Sequence, residues 1–118
     1  MILRLPIIPF GKMGSKRIAV VSTDSVNVND HFGMAEAFLI YDVQDELQFV
    51  EKRTSEKLSV GDPNHPFDAD KFGRVYDKIK DCSNVYVTKI GEGPAKKLKE
   101  LGIEPVIYKG AISEIIIL

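Results

Sequence analysis

The chain has 118 residues, of which 44% are hydrophobic and 28% charged, with a net charge of -1. This composition is typical of one soluble domain that is large enough to bury a core. The 16 Lys and Arg residues are balanced by 17 Asp and Glu residues, so no broad positive field draws nucleic acid, and no nucleic-acid partner is expected. Cys82 is the only cysteine. This excludes an intramolecular disulfide, an all-thiolate zinc site and a cysteine-only cluster cage, and it favours a cytoplasmic setting.

The N-terminal residues do not fit the pattern of the rest. Residues 1–10 are apolar and contain Pro6 and Pro9. They lack the basic start and the cleavage site of a signal peptide and are too short to cross a bilayer, so no membrane association is expected. Residues 11–15 are typical of a flexible joint. We expect residues 1–15 to be an extension, either native or introduced for expression, and residues 16–118 to form a single α/β domain.

The first half of the domain is predicted to form three strands. Residues 17–22 are a short apolar run, as expected for a central strand covered on both faces. Residues 37–43 and 47–53 flank three turn residues, a spacing that predicts a hairpin. The second arm of this hairpin is more polar, so we place it at the edge of the sheet.

An irregular excursion and a helix are predicted next. Residues 54–67 contain Gly61, two prolines and little periodicity, which is typical of a binding loop, a lid or a disordered segment. Asp68 is a candidate N-cap for a helix that ends near residue 80. The apolar residues of this helix recur at helical spacing: they are Ala69, Phe72, Val75, Tyr76 and Ile79.

The second half alternates strand and helix. Residues 84–88 and 104–108 are predicted strands, residues 95–101 a helix, and residues 111–118 a short apolar helix. A strand, helix, strand order implies a right-handed crossover and parallel pairing, whereas the first half is an antiparallel meander. We therefore predict a five-stranded mixed sheet with helices on its faces. The first strand should be central, with the hairpin on one side and the parallel strands on the other.

A polar stretch between the first two strands is the leading candidate site. It comprises Asn29, Asp30, His31, Phe32 and Gly33. An imidazole at the end of a sheet can ligate a metal, and a glycine lets backbone approach a ligand closely. The alternative is that His31 only caps or orders its loop.

Two parts of the chain resemble a known family. Residues 16–20 (KRIAV), 28–35 (VNDHFGMA) and 38–43 (FLIYDV) are similar to the opening of the dinitrogenase iron-molybdenum cofactor biosynthesis family. This NifX/NafY-like domain is also found at the end of some NifB proteins. Residues 90–94 (IGEGP), followed by Leu98 and residues 101–103 (LGI), are similar to its second signature. The resemblance covers residues 16–113.

The resemblance implies a ribonuclease-H-like fold and a binding role without catalysis. Members hold or carry the iron–molybdenum cofactor or its iron–sulfur precursor, so a metallocluster ligand and cofactor-assembly proteins are the expected partners. His31 matches the histidine of the family's His-Phe-Gly motif and becomes the candidate cluster contact. His65 matches only by region, as a second metal contact from the excursion.

An anionic cluster also needs N–H donors. The turn that contains Gly91 and Gly93 can supply them, because the amides and the positive dipole end of a following helix favour an anion. Both loops should face one crevice if their strands are parallel neighbours. The alternative is a plain helix start, since the Glu92 carboxylate would compete for the same amides and Pro94 removes one donor.

Two other classes of function stay open. One is an orphan interaction or regulatory domain. The other is a divalent-metal nuclease, which needs several converging carboxylates. Asp24, Asp30 and Asp42 are the only acids near the relevant strand ends, and the first strand carries no inward-facing acid. The nuclease is the weaker hypothesis. The apolar segments 1–10 and 112–118 also allow a weak homo-oligomer in place of a monomer.

Overall fold

A computed structural model describes residues 16–58 and 69–115 of the chain. The predicted extension 1–15, His65, the Asp68 cap and most of the excursion lie outside the described residues. The helices and strands are β1 (Lys16–Val20), β2 (Asn27–Val28), β3 (Ala37–Val43), β4 (Leu47–Thr54), α1 (Ala69–Ile79), β5 (Asn84–Val87), α2 (Glu92–Glu100), β6 (Glu104–Ile107) and β7 (Gly110–Ala111). Short 3-10 turns cover Phe32–Met34 and Ile112–Glu114.

The main sheet has five strands in the order β4-β3-β1-β5-β6. β1 is antiparallel to β3 and parallel to β5, and β5 is parallel to β6. The predicted mixed sheet is therefore confirmed, with β1 at its centre, the hairpin on one side and the two parallel strands on the other. The β3–β4 hairpin has the predicted three-residue connection, and Val50 is an extra residue at a bulge, because Ile40 pairs with Glu51 while Tyr41 pairs with Phe49.

Both α-helices pack on the same face of the sheet. α1 contributes Phe72, Val75 and Ile79 to the core, as its helical spacing predicts, while Tyr76 is half-buried and Ala69 is exposed. α2 contributes Leu98 to the same core. α2 begins at Glu92, three residues before the predicted start, so that Pro94 lies in its first turn, where a missing N–H costs little.

The opposite face of the sheet is covered differently from the prediction. β2 and β7 form a small antiparallel sheet, and Val28, Ile112 and Ile115 pack there against residues such as Ile18 and Val20. The predicted helix 111–118 is wrong as far as Ile115. Its start is in β7, and only one 3-10 turn follows. Isoleucine-rich segments are weak helix formers, and pairing with β2 offers this short segment backbone hydrogen bonds that a helix of its length cannot match.

Two glycines give a matched test of backbone conformation. Gly102 follows α2 with a φ of +91°, a conformation that favours glycine after the last turn of a helix, whereas Gly73 lies inside α1 with open space where a Cβ would be. We expect Gly102→Ala to lower the free energy of unfolding by about 1 kcal/mol, and Gly73→Ala to raise it by about 0.5–1 kcal/mol. Urea unfolding of both variants measures this. If both substitutions changed the free energy of unfolding in the same direction and by the same amount, the backbone conformations assigned to the two glycines would be wrong.

Candidate functional site

The loop that carries His31 is joined to the end of β5. Thr88 N–H donates to the Asp30 carbonyl at 3.0 Å, and Phe32 N–H donates to the Lys89 carbonyl at 2.9 Å. An isolated parallel bridge pairs His31 with Lys89. The chain leaves β1, makes an excursion, and returns to continue the sheet beside the carboxyl end of β5. This position is the usual ligand position in open α/β sheets.

His31 is exposed while its neighbour Phe32 is buried. Phe32 is 1% exposed and packs on Phe38, with 6.0 Å between the ring centroids. The turn that follows is closed by Met34 N–H, which donates to the His31 carbonyl at 3.1 Å. The buried ring and the paired backbone hold this loop in place, so the imidazole of His31 is presented to solvent from a fixed backbone. Since the Phe32 ring is buried and its N–H is paired, we assign Phe32 a positioning role in place of a ligand contact.

Two other predicted site residues form hydrogen bonds within the loop. The Asn29 side chain accepts from Thr23 N–H at 2.9 Å and donates to Thr23 Oγ1 at 2.9 Å. The Asp30 carboxylate accepts from His31 N–H at 2.8 Å. Both side chains therefore shape the loop around His31. Gly33, within the 3-10 turn, is half-buried.

The glycine turn follows Lys89, the bridge partner of His31. Gly91 precedes α2 in an extended conformation, two residues after Lys89, and the Ala95 N–H donates to its carbonyl at 3.0 Å. No side-chain cap hydrogen bond closes the start of α2. The amides of Glu92 and Gly93 belong to the first helical turn, whose N–H groups have no partner within a helix. The fold therefore brings together the two loops that the sequence pointed to.

The three acids of the nuclease hypothesis do not converge. Asp42 pairs with Arg17 near the start of β1, with 2.7 Å between Arg17 Nε and Asp42 Oδ1, whereas Asp24 follows the end of β1. Hydrogen bonds from the amides of Asn27 and Val26 lower the pKa of Asp24 to about 2. Asp24 thus caps its own turn, and a two-metal site built from these residues has no geometric support.

The metal-binding capacity of the described residues is limited. Within residues 16–58 and 69–115, no three His, Cys, Asp or Glu side chains form a group that could hold a metal ion. Cys82 is 4% exposed and belongs to the core, and burial raises the pKa of its thiol to about 12. A buried thiol of this kind is a poor candidate for a ligand, whereas His31 is an exposed metal-ligating side chain.

Sequence reasoning missed Lys89, the bridge partner of His31. In the sequence, Lys89 stands out only by its position between a predicted strand and the glycine turn. That position does not show that Lys89 pairs with His31. Sequence reasoning also missed that β2 and β7 form a sheet. Among the described residues, no helix has both the length and the apolar character needed to cross a membrane.

The fold and the candidate site define a small α/β domain with two loops at the carboxyl end of its parallel strands. The model of the family "Dinitrogenase iron-molybdenum cofactor" matches residues 14–117. The chain belongs to this family, which confirms the resemblance found in its sequence.

Similar proteins have names from the same process. The chain is 38% identical over 90 residues to the FeMo cofactor biosynthesis protein NifB of Frankia alni, a match that covers 75% of this chain and 18% of NifB. It is 31% identical over 105 residues to NifX of Azotobacter vinelandii, covering 85% of this chain and 62% of NifX. The chain thus spans less than two thirds of either relative. An NMR structure of a NifB-type protein from Thermotoga shares the fold, with a TM-score of 0.50, 23% identity, and coverage of 84% of this chain and 82% of that one.

Proposed function

We propose that this domain binds an iron–molybdenum cofactor, its iron–sulfur precursor or a similar anionic metallocluster, and carries it during cofactor assembly without catalysing a reaction. The cluster is cargo in this proposal, and cofactor-assembly proteins are the partners that deliver and receive it. Family membership supports the class of ligand. The matched region covers only 18% of NifB and 62% of NifX. We therefore do not assign the complete activities of these proteins to this chain.

The observation that carries the proposal is that His31 is exposed while its backbone is paired with Lys89, three residues before the start of α2. A neutral imidazole is a borderline ligand that suits iron. The amides of Glu92 and Gly93 and the positive end of the α2 dipole favour the negative charge of the cluster. Glu92 is exposed, and its carboxylate has free space to turn away from these amides.

The test is an anaerobic titration with a synthetic thiolate-capped [4Fe–4S] cluster, followed by cluster absorption and paramagnetic resonance. We expect the native chain to bind and His31→Ala to lose at least about tenfold in affinity. Replacing a residue that only orients a metal ligand already lowers metal affinity by about tenfold or more, and His31→Ala removes the ligand itself. After reduction with dithionite to the paramagnetic [4Fe–4S]1+ state, the resonance signal of the bound cluster should also change, since a nitrogen ligand is lost.

Two further variants sharpen this test. His65→Ala examines the predicted second metal contact, and unchanged affinity would remove His65 from the site. Asn29→Ala keeps the imidazole but loosens its loop, so a smaller loss than in His31→Ala is expected. If the native chain does not bind the cluster, or if His31→Ala binds as the native chain does, the carrier proposal fails. The first outcome favours an orphan interaction or regulatory domain.

A further inference from the structure

We propose that Lys89 is a second ligand contact, which holds the negative charge of the ligand while His31 holds its metal. The inference rests on the proposed function and deepens it, because it defines the ligand as a metal centre with an anionic group beside it. Lys89 has no counterpart in the motif residues that identified the site from sequence. Only the tertiary structure shows that Lys89 lies beside His31.

The backbone places the two side chains next to each other. His31 and Lys89 are partners in a parallel bridge, and adjacent strands lie about 4.8 Å apart, with residues in register pointing to the same face. Both residues are exposed, so both side chains project into the same solvent-facing space. Two backbone hydrogen bonds, at 2.9 Å and 3.0 Å, hold the segments together on either side of this pair. The register of the two residues is therefore fixed by the backbone.

The charges around Lys89 leave its ammonium group available. Other exposed lysines form ion pairs, as Lys57 does with Glu36, Lys80 with Asp77, and Lys97 with Glu100. No such pair is found for Lys89 among residues 16–58 and 69–115. Asp30 on the facing loop is the acid nearest to His31 in sequence, and its carboxylate accepts a hydrogen bond from His31 N–H. Lys89 is thus a flexible, positively charged side chain beside an imidazole, and no ion pair ties it to an acid of the described ranges.

The two residues should contribute in different ways. Imidazole ligation acts at bonding distance and is insensitive to ionic strength. The attraction between an exposed ammonium group and an anionic ligand is screened by salt, over a Debye length of about 10 Å at 0.1 M. Salt dependence therefore separates the role of Lys89 from that of His31, and it also separates a charge contact from a structural role.

The experiment measures affinity for the same thiolate-capped [4Fe–4S] cluster at low and high ionic strength. We expect Lys89→Gln to weaken binding about threefold to tenfold at low salt, with the difference shrinking at high salt, and Lys89→Arg to stay close to the native chain. Lys52→Gln is the matched control, because it removes the same charge from an exposed residue of β4, the far edge strand. It should bind as the native chain does.

Each alternative outcome has a distinct meaning. Binding by Lys89→Gln equal to the native chain at low salt overturns the role of Lys89 but leaves the carrier function intact. A loss that is the same at both salt concentrations, or that Lys89→Arg shares, points to a structural role and overturns the charge contact. If Lys52→Gln lowers the affinity as much as Lys89→Gln does, the loss comes from the change in net charge of the protein and not from a contact at Lys89. Failure of the native chain to bind removes the proposed function and this inference together.

Discussion

Phe38→Ala is expected to lower the free energy of unfolding by about 3–5 kcal/mol, the usual cost of truncating a buried aromatic side chain. Phe38 is 0% exposed near the start of β3 and belongs to the core beneath both helices. Alanine removes most of this buried surface and leaves a cavity that the neighbouring strands cannot close. Since domains of this kind have a total stability of about 5–15 kcal/mol, the loss is a large fraction of the whole. Urea unfolding at neutral pH measures it.

The chain offers a matched control in the same hairpin. Phe49 on β4 is 57% exposed and makes an edge contact with Tyr41, with 5.6 Å between the ring centroids. Phe49→Ala removes the same atoms from a largely hydrated position, so we expect a loss of only about 0.5–1.5 kcal/mol. Comparable losses in the two variants would show that the core is not where the structure puts it.

Phe38 also connects the core to the site. Its ring supports Phe32, and Phe32 holds the backbone from which His31 projects. Phe38→Leu keeps much of the buried volume but changes the shape under Phe32. We therefore expect this milder variant to remain folded and to have a weakened affinity for the cluster, as the same anaerobic titration would show.

The second large effect is expected at Asp81, for which Asp81→Asn should lower the free energy of unfolding by about 2 kcal/mol. Arg53 donates to both oxygens of the Asp81 carboxylate, at 2.7 and 3.0 Å, and Arg17 donates to it at 2.9 Å. The carboxylate thereby ties the end of α1 to β1 and β4. Hydrogen bonds to charged groups contribute more than neutral ones. The expected loss of unfolding free energy is no larger because the Asp81 side chain is 41% exposed and water screens its ion pairs.

The same network makes the fold sensitive to acid. Hydrogen bonds from Arg53 and then Arg17 hold the pKa of Asp81 well below its ordinary value, and the hydrogen bond from Arg17 lowers the pKa of Asp42. The unfolded chain takes up protons on these carboxylates near pH 3.9, before the folded chain does. Their contribution is therefore fully present above about pH 5 and is lost as the pH falls below about 4.

Unfolding curves between pH 7 and pH 2 test this assignment. Asp81→Asn should show a shallower loss of stability in the acid range than the native chain, because one of the titrating groups is gone. Asp77→Asn is the control, since Asp77 lies near the end of α1 and pairs with Lys80 at 3.8 Å, both of them exposed. Its acid dependence should match that of the native chain, and a change as large as that in Asp81→Asn would contradict the network.

Much of the fold was predictable because local patterns specify it. The 37–43 and 47–53 runs with a three-residue connection predicted β3 and β4 almost to the residue, and three members of the predicted stripe of α1, Phe72, Val75 and Ile79, are buried. The strand order followed from connection rules. The final segment was mispredicted because apolar residues alone do not distinguish a helix from a strand. Pairing with Asn27–Val28 decided between them, and no local pattern carries that information.

By itself, the sequence determined that this chain forms one mixed α/β sheet, that His31 lies in a loop at the end of a strand, and that the chain resembles the cofactor family. Local periodicity, turn residues and motif order carry that information. Only the tertiary structure decided that His31 pairs with Lys89, that Phe32 is buried beneath this loop, and that Asp42 and Asp81 pair with arginines away from the site. Such pairings join residues far apart in the chain. They depend on strand register and on the packing of the whole core, which no single segment specifies.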